Sequence, residues 1–258
     1  MFNPMDRTRT PTPVRAWVET AKAIAADDGF HLGNVFVHIE APLAMDEAEL
    51  AVVRHVDGFL RGHSQNGIST VANTIFPAEL DRGDGVMALT DRYMAVFDRA
   101  MKGGWGRYFE RLVRWPNPKG GAPINQLAGM VEMLGEARTG TFHTDKYELI
   151  ISDPTRYFKS IQGRPCLSLI ELKPEKPGTL HMTATYRNHH YVRKTLGNIL
   201  GLAALQAFLA RETGFQAGSL TLCSTSARLE TNGVPWGKSA VRQLIAACDQ
   251  RLLTRRAA

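Results

Sequence analysis

Arg164-Pro165-Cys166 is followed about twenty residues later by Tyr186-Arg187-Asn188-His189-His190, and then by Asn198. Together these segments supply a thiol, a guanidinium and two carboxamides. A thiolate beside a fixed guanidinium suits attack on an electron-poor ring that carries a phosphate. The cation lowers the cost of the charged sulfur, and its forked donors clamp phosphate oxygens. Each residue also has a plain reading. Cys166 at the head of an apolar strand can be core packing, since free cysteines are among the most buried residues. Arg187 can be an ion-pair partner and Asn198 a helix-start residue.

The elements that must position these groups follow from periodicity and punctuation. Residues 14–26 repeat apolar positions at helical spacing, and 34–40 alternate with β-branched residues as a strand does. Asp46 reads as the N-cap of a helix that runs to about Arg61. A further helix spans about 86–102, 115–123 is a Pro/Gly-rich loop, and 124–135 is an apolar helix. Strands are expected at 147–152, 166–172, 180–186 and 219–229, with a turn at 173–178. The longest apolar helix covers 195–212, and a last one covers 239–253. Helices dominate the first half and strands the second, without regular βαβ alternation, which predicts an α+β fold with a mixed sheet. Residues 1–13, polar and rich in proline and threonine, read as a flexible arm. The remainder, 14–258, has no linker or repeat and reads as one domain.

Composition narrows the partners. The 258 residues carry a formal net charge of +6, which favours anionic ligands. A small phosphorylated substrate answers that charge; nucleic acid does too but is not favoured, because the only dense basic run is Arg251, Arg255 and Arg256. The three cysteines, Cys166, Cys223 and Cys248, form no CxxC pattern, and Cys223 and Cys248 read as core. Adjacent His189 and His190 in a strand would point to opposite faces, so no metal site is expected. No apolar run reaches the roughly 18 residues that cross a bilayer, and no signal-peptide core is visible. No membrane partner and a cytoplasmic location are therefore expected.

The second half resembles the thymidylate synthase superfamily. That family carries a nucleophilic cysteine after a proline, a strand hairpin, a Tyr-Gln-Arg-Ser-x-Asp segment, and a buried helix opened by an asparagine. The matching positions are Pro165-Cys166, Arg187 within Tyr186-Arg187-Asn188-His189-His190, and Asn198, eleven residues beyond the arginine. The similarity continues through Ala203-Ala204-Leu205, Thr213-Gly214 and Ala217-Gly218. Upstream, Trp105-Gly106-Arg107, Ile124-Asn125-Gln126-Leu127 and Thr74-Ile75-Phe76 resemble further family segments.

The resemblance implies a thymidylate-synthase-like fold, homodimeric through its sheet, and folate-dependent C5 methylation or hydroxymethylation of a pyrimidine nucleotide. Cys166 would add to C6, Arg187 would serve phosphate and thiolate, and Asn198 would read the O4/N3 edge of the base. Asn188, Arg228 and Glu230 would complete the substrate contacts, the last two standing where the family holds the sugar with His-x-Tyr. Phe76, Trp105 and His190 would face 5,10-methylenetetrahydrofolate. Several positions depart from the pattern. His190 replaces the aspartate that contacts the pterin, and the double arginine that crosses the dimer aligns near Tyr147-Glu148. The glutamate of proton transfer has His55 as its nearest counterpart. Those losses leave open a non-catalytic nucleotide-binding or regulatory protein on the same fold.

Overall fold

The computed structural model describes residues 7–100, 107–140, 143, 145–159 and 163–253. The chain opens with β1 (Arg7–Thr10), α1 (Pro13–Ala26), β2 (His31–Ile39), α2 (Glu47–Gly62) and the short α3 (Ile68–Ala72). Next come α4 (Val86–Ala100), α5 (Tyr108–Val113), α6 (Gln126–Thr139), β3 (Glu148–Ile150) and α7 (Pro154–Tyr157). The last part holds β4 (Leu167–Glu175), β5 (Thr179–Tyr186), β6 (His189–His190), α8 (Leu196–Thr213), β7 (Gln216–Arg228) and α9 (Lys238–Leu253). Residues 7–10, placed by composition in the flexible arm, pair in parallel with β2 instead.

The strands form one mixed sheet in the order β1-β2-β7-β5-β4-β3, with β6 beside β7. The pairs β2/β7, β5/β4 and β4/β3 are antiparallel, whereas β5/β7 and β6/β7 are parallel. Helices and a mixed sheet give the α+β class that the element pattern predicts.

Strand alternation divides the sheet into two unlike faces. Val37 of β2 aligns with Leu222 of β7, which aligns with Ala184 of β5 and then Ile170 of β4; all four are buried. Helix α8 packs on β5 and β7. Its apolar residues run round the whole helix, as a helix enclosed on all sides requires. On the opposite face His38, Thr221, Thr183 and Glu171 stand in one cross-strand row and remain half-exposed.

Local chemistry sets the element ends. Asp46 caps α2 by accepting from the Glu49 amide at 2.8 Å, while the Glu49 carboxylate accepts from the Asp46 amide at 2.7 Å. Two glycines of α8 let α3 approach closely. A Cβ on Gly197 would lie 2.7 Å from Val71 Cβ, and one on Gly201 would lie 2.6 Å from the Ala72 carbonyl oxygen. This contact brings Val71 and the turn after α3 up to the mouth of α8, where the chemical residues gather.

Candidate active site

A cavity of about 220 Å³ opens where β4 begins and α8 starts. Val71 and Thr74 form one wall, and Arg107 and Tyr108 at the start of α5 form another. Cys166, Asn188, His189 and His190 close it together with Lys194 and Asn198. Thus four of the sequence-predicted residues, Cys166, Asn188, His190 and Asn198, share one cavity with Val71 and Tyr108, which no motif had singled out.

Cys166 is half-buried and immediately precedes β4. The β4/β5 register shifts between Leu167 and Leu169, an irregularity of the kind that re-aims side chains at sites. Arg187 braces the cysteine from both sides. Its amide donates to the Cys166 carbonyl at 2.9 Å, and its Nη2 donates to the Pro165 carbonyl at 2.6 Å. The guanidinium therefore holds the peptide that carries the thiol, while its buried Nε–H finds no acceptor among the described residues.

Electrostatics at the sulfur are divided. Burial pushes the Cys166 thiol up, and the positive charges of Arg187, Lys194 and Arg228 pull it down without cancelling the burial. The cavity keeps Lys194 below its ordinary value, mainly through desolvation and then through Arg193. The Tyr108 hydroxyl, which accepts from the Leu167 amide at 3.4 Å, is raised to about 12 by burial and by the nearby thiol.

Two histidine–amide pairs form the floor. Asn198 Nδ2 lies 3.2 Å from His189 Nε2, and Asn188 Nδ2 lies 3.1 Å from His190 Nε2. His189 is 1% exposed and stacks on Tyr186 with ring centroids 3.9 Å apart and an interplanar angle of 4°. Complete burial, with His190 as a smaller cause, drops its pKa to about 3, so the ring is neutral. His190 faces Glu230 at 3.5 Å and is held below its ordinary value, by desolvation first.

The remaining predicted residues fall elsewhere. Glu230 is buried and works at the start of α8, where a wide π-type turn spans Tyr191–Thr195. Its carboxylate accepts from the Val192 amide at 2.9 Å, the Arg193 amide at 3.3 Å and Arg193 Nε at 3.1 Å. It thereby satisfies orphan donors of a helix start, which the expectation of a substrate contact had not foreseen. Arg228 is exposed, donates to Ser226 Oγ at 3.3 Å, and reaches the thiol only through its charge. Phe76, expected beside a folate, is buried between Phe109 and Phe208 with centroid distances of 5.9 and 5.1 Å. It is a core residue here, because the turn after α3 points it inward. Trp105 lies outside the described residues.

Residues missed by motif reasoning left weak signals. Tyr108 follows the Trp105-Gly106-Arg107 segment. Val71 had no local signal, because only the α3/α8 contact brings it here. Among the described residues no cluster of three or more His, Cys, Asp or Glu is placed to hold a metal ion. None of their helices is long and apolar enough to cross a membrane.

No family model matches this chain. A protein of Methanococcoides burtonii named "Putative thymidylate synthase" is 25% identical to it over 122 residues. The matched segment covers 47% of this chain and 51% of that protein, so it spans about half the length of each.

Proposed function

We propose that this chain is a one-carbon transferase of the thymidylate synthase type, with a thymidylate-synthase-like fold, acting on a pyrimidine nucleotide. The observation that carries the reading is the single cavity in which Cys166, under three positive charges, faces two carboxamides. The similarity to the M. burtonii protein supports it.

In this reading the Cys166 thiolate adds to C6 of the ring, forming an S–C6 bond and moving an electron pair to C5 and O4. C5 then attacks a one-carbon electrophile and loses its proton. Elimination breaks the S–C6 bond and returns the thiolate. Arg187 holds the Cys166 peptide, and Lys194 and Arg228 offset the negative charge of sulfur and phosphate. Asn198 reads the base. The cations exceed what the sulfur alone needs, and they face an anionic substrate.

The donor implied by the resemblance is 5,10-methylenetetrahydrofolate. The described residues give it little: Phe76 is in the core, and His190 stands at the position of the pterin-contacting carboxylate. The cavity is also smaller than the roughly 300–1,000 Å³ of ordinary small-molecule sites. No step is therefore routed through a folate. The half-exposed sheet face is proposed as the contact surface of a homodimer.

A second reading, nucleotide binding without turnover, draws on the raised thiol and on a cavity lining that contains no carboxylate among the described residues. Release of tritium from C5-labelled UMP, dUMP, CMP and dCMP separates the two. Release by the native protein that vanishes in Cys166→Ala supports catalysis, and its dependence on methylenetetrahydrofolate identifies the donor. No release from any of the four, with binding retained, favours the second reading.

A further inference from the structure

The cavity needs a proton acceptor that the chemistry above does not name. Burial keeps the Cys166 sulfur protonated despite the charges of Arg187, Lys194 and Arg228. A thiol is a poor nucleophile, so its proton must leave as the sulfur attacks. Most of the lining cannot take it. Arg107 offers only donors, Thr74 and the two carboxamides are not bases, and the Tyr108 hydroxyl is raised to about 12. His189 is 1% exposed and has both nitrogens engaged, Nδ1 with Ser224 Oγ at 2.9 Å and Nε2 with Asn198 Nδ2 at 3.2 Å. His190 and Lys194 remain. Lys194 serves the sulfur as a cation, and giving up its proton would forfeit that charge.

Geometry favours His190. Its Nδ1 faces the Glu230 carboxylate, with Oε1 3.5 Å away, and its Nε2 lies 3.1 Å from Asn188 Nδ2. A carboxylate only accepts, so the proton of the neutral ring belongs on Nδ1 and the lone pair on Nε2. Glu230 is itself fixed, because it accepts from the Val192 and Arg193 amides and from Arg193 Nε. The 3.5 Å separation is long for a hydrogen bond, and Nδ1 has no other partner among the described residues. Catalytic contacts of this kind often tighten only as the reaction proceeds.

Asn188 has a group for each form of the ring. Its Nδ2 meets the bare Nε2, while its Oδ1 is buried with no partner among the described residues. A half-turn of the carboxamide exchanges the two, so Oδ1 can accept from Nε2–H once the ring is charged. The lone pair is uncovered during that turn, and the sulfur proton can then arrive, directly or through one water.

We propose that His190 is the catalytic base of this cavity, taking the Cys166 thiol proton on Nε2, with Glu230 and Asn188 as its positioning residues. The pair of the S–H bond becomes the S–C6 bond while the proton moves to Nε2. When the S–C6 bond breaks, its pair returns to sulfur and Nε2–H gives the proton back. The identity of the ring rests on the pyrimidine reading above; the transfer from Cys166 to His190 does not.

Alkylation of Cys166 by iodoacetamide tests that transfer without any nucleotide. Desolvation is the largest influence on His190 and holds it below 6.5; of the charges facing it, Glu230 raises it, whereas Arg193, Arg228 and Lys194 lower it. The native rate should therefore rise in two steps, the first below pH 6.5 as Nε2 loses its proton, the second as the thiol itself ionises. His190→Gln should lose the first step, react at least about tenfold more slowly at neutral pH, and keep the second. Lys194→Met should react more slowly yet keep the first step. Glu230→Gln removes the charge that raises His190, so the first step should move to lower pH, which a purely structural role would not cause. A native profile with one step, or a first step that survives in His190→Gln, would overturn the proposal. A first step lost only in Lys194→Met would overturn it in favour of Lys194.

Long-range ¹H–¹⁵N NMR of the native protein without ligand needs no variant. Above pH 6.5 His190 should show Nδ1–H and a bare Nε2, and the opposite tautomer would overturn the assignment. Tritium release from C5 separates the two readings. Native release that His190→Gln matches in rate would sink the role of His190 and leave the pyrimidine reading standing. Two-step alkylation without release would do the reverse.

Discussion

At Cys166 two tendencies oppose each other. Burial raises the thiol, whereas Arg187, Lys194 and Arg228 favour the thiolate. Alkylation by iodoacetamide should therefore rise with pH and lag behind an exposed thiol at mildly alkaline pH. Lys194→Met removes one of the three charges and should slow it several-fold more; an unchanged rate would deny Lys194 that role. His189 makes a separate prediction. Its folded pKa, about 3, lies below the ordinary 6.5, so between those values the unfolded chain binds a proton that the folded chain does not. Its contribution is complete above pH 6.5 and is lost as pH falls, by roughly 1.4 kcal/mol per pH unit. Urea midpoints from pH 6.5 downward should fall less steeply in His189→Gln than in the native protein.

At the scale of elements, the site depends on two joints. The α3/α8 contact is tight enough that Gly201→Ala would press on the Ala72 backbone. A loss of about 1–3 kcal/mol is expected, read as a lower melting temperature, with a changed Cys166 alkylation rate as the Val71 wall moves. The start of α8 depends on Glu230. Glu230→Gln should cost about 1–3 kcal/mol in urea titrations, whereas a residue that only touched substrate would leave stability unchanged.

These joints also mark the limit of reading by sequence. The capped α2 and the apolar α8 were legible because cap residues and periodicity are local signals. Five-residue α3 and six-residue α5 are too short to show a period, and β1 exists only through its pairing with β2. In the same way Cys166, Asn188, His190 and Asn198 were legible as types and spacings. The burial of Phe76 and the anchoring role of Glu230 were not. Each depends on which way a side chain faces after distant segments have packed.

For the whole molecule, the sheet has one face buried against helices and one left half-exposed, with His38, Thr221, Thr183 and Glu171 in a row across it. If that face joins two copies, sedimentation should show a dimer. The double change Thr183→Lys, Thr221→Lys places like charges in the contact and should give a monomer that keeps its native circular dichroism. A native monomer at micromolar concentration would contradict the dimer.

The central claim is a covalent bond between Cys166 and a pyrimidine ring. A 5-fluoropyrimidine nucleotide has no C5 proton to lose, so once C5 has joined the one-carbon unit, the S–C6 bond should persist. Intact-mass and peptide spectrometry, after incubation with 5-fluoro-UMP or 5-fluoro-dUMP and methylenetetrahydrofolate, would read it directly. One nucleotide joined at C5 to the one-carbon unit and its carrier, on the peptide that contains Cys166 and absent in Cys166→Ala, is the predicted result. Turnover of the C5-hydrogen nucleotide with Cys166 left unmodified by the fluorinated one, or label on Cys223 or Cys248, would contradict it.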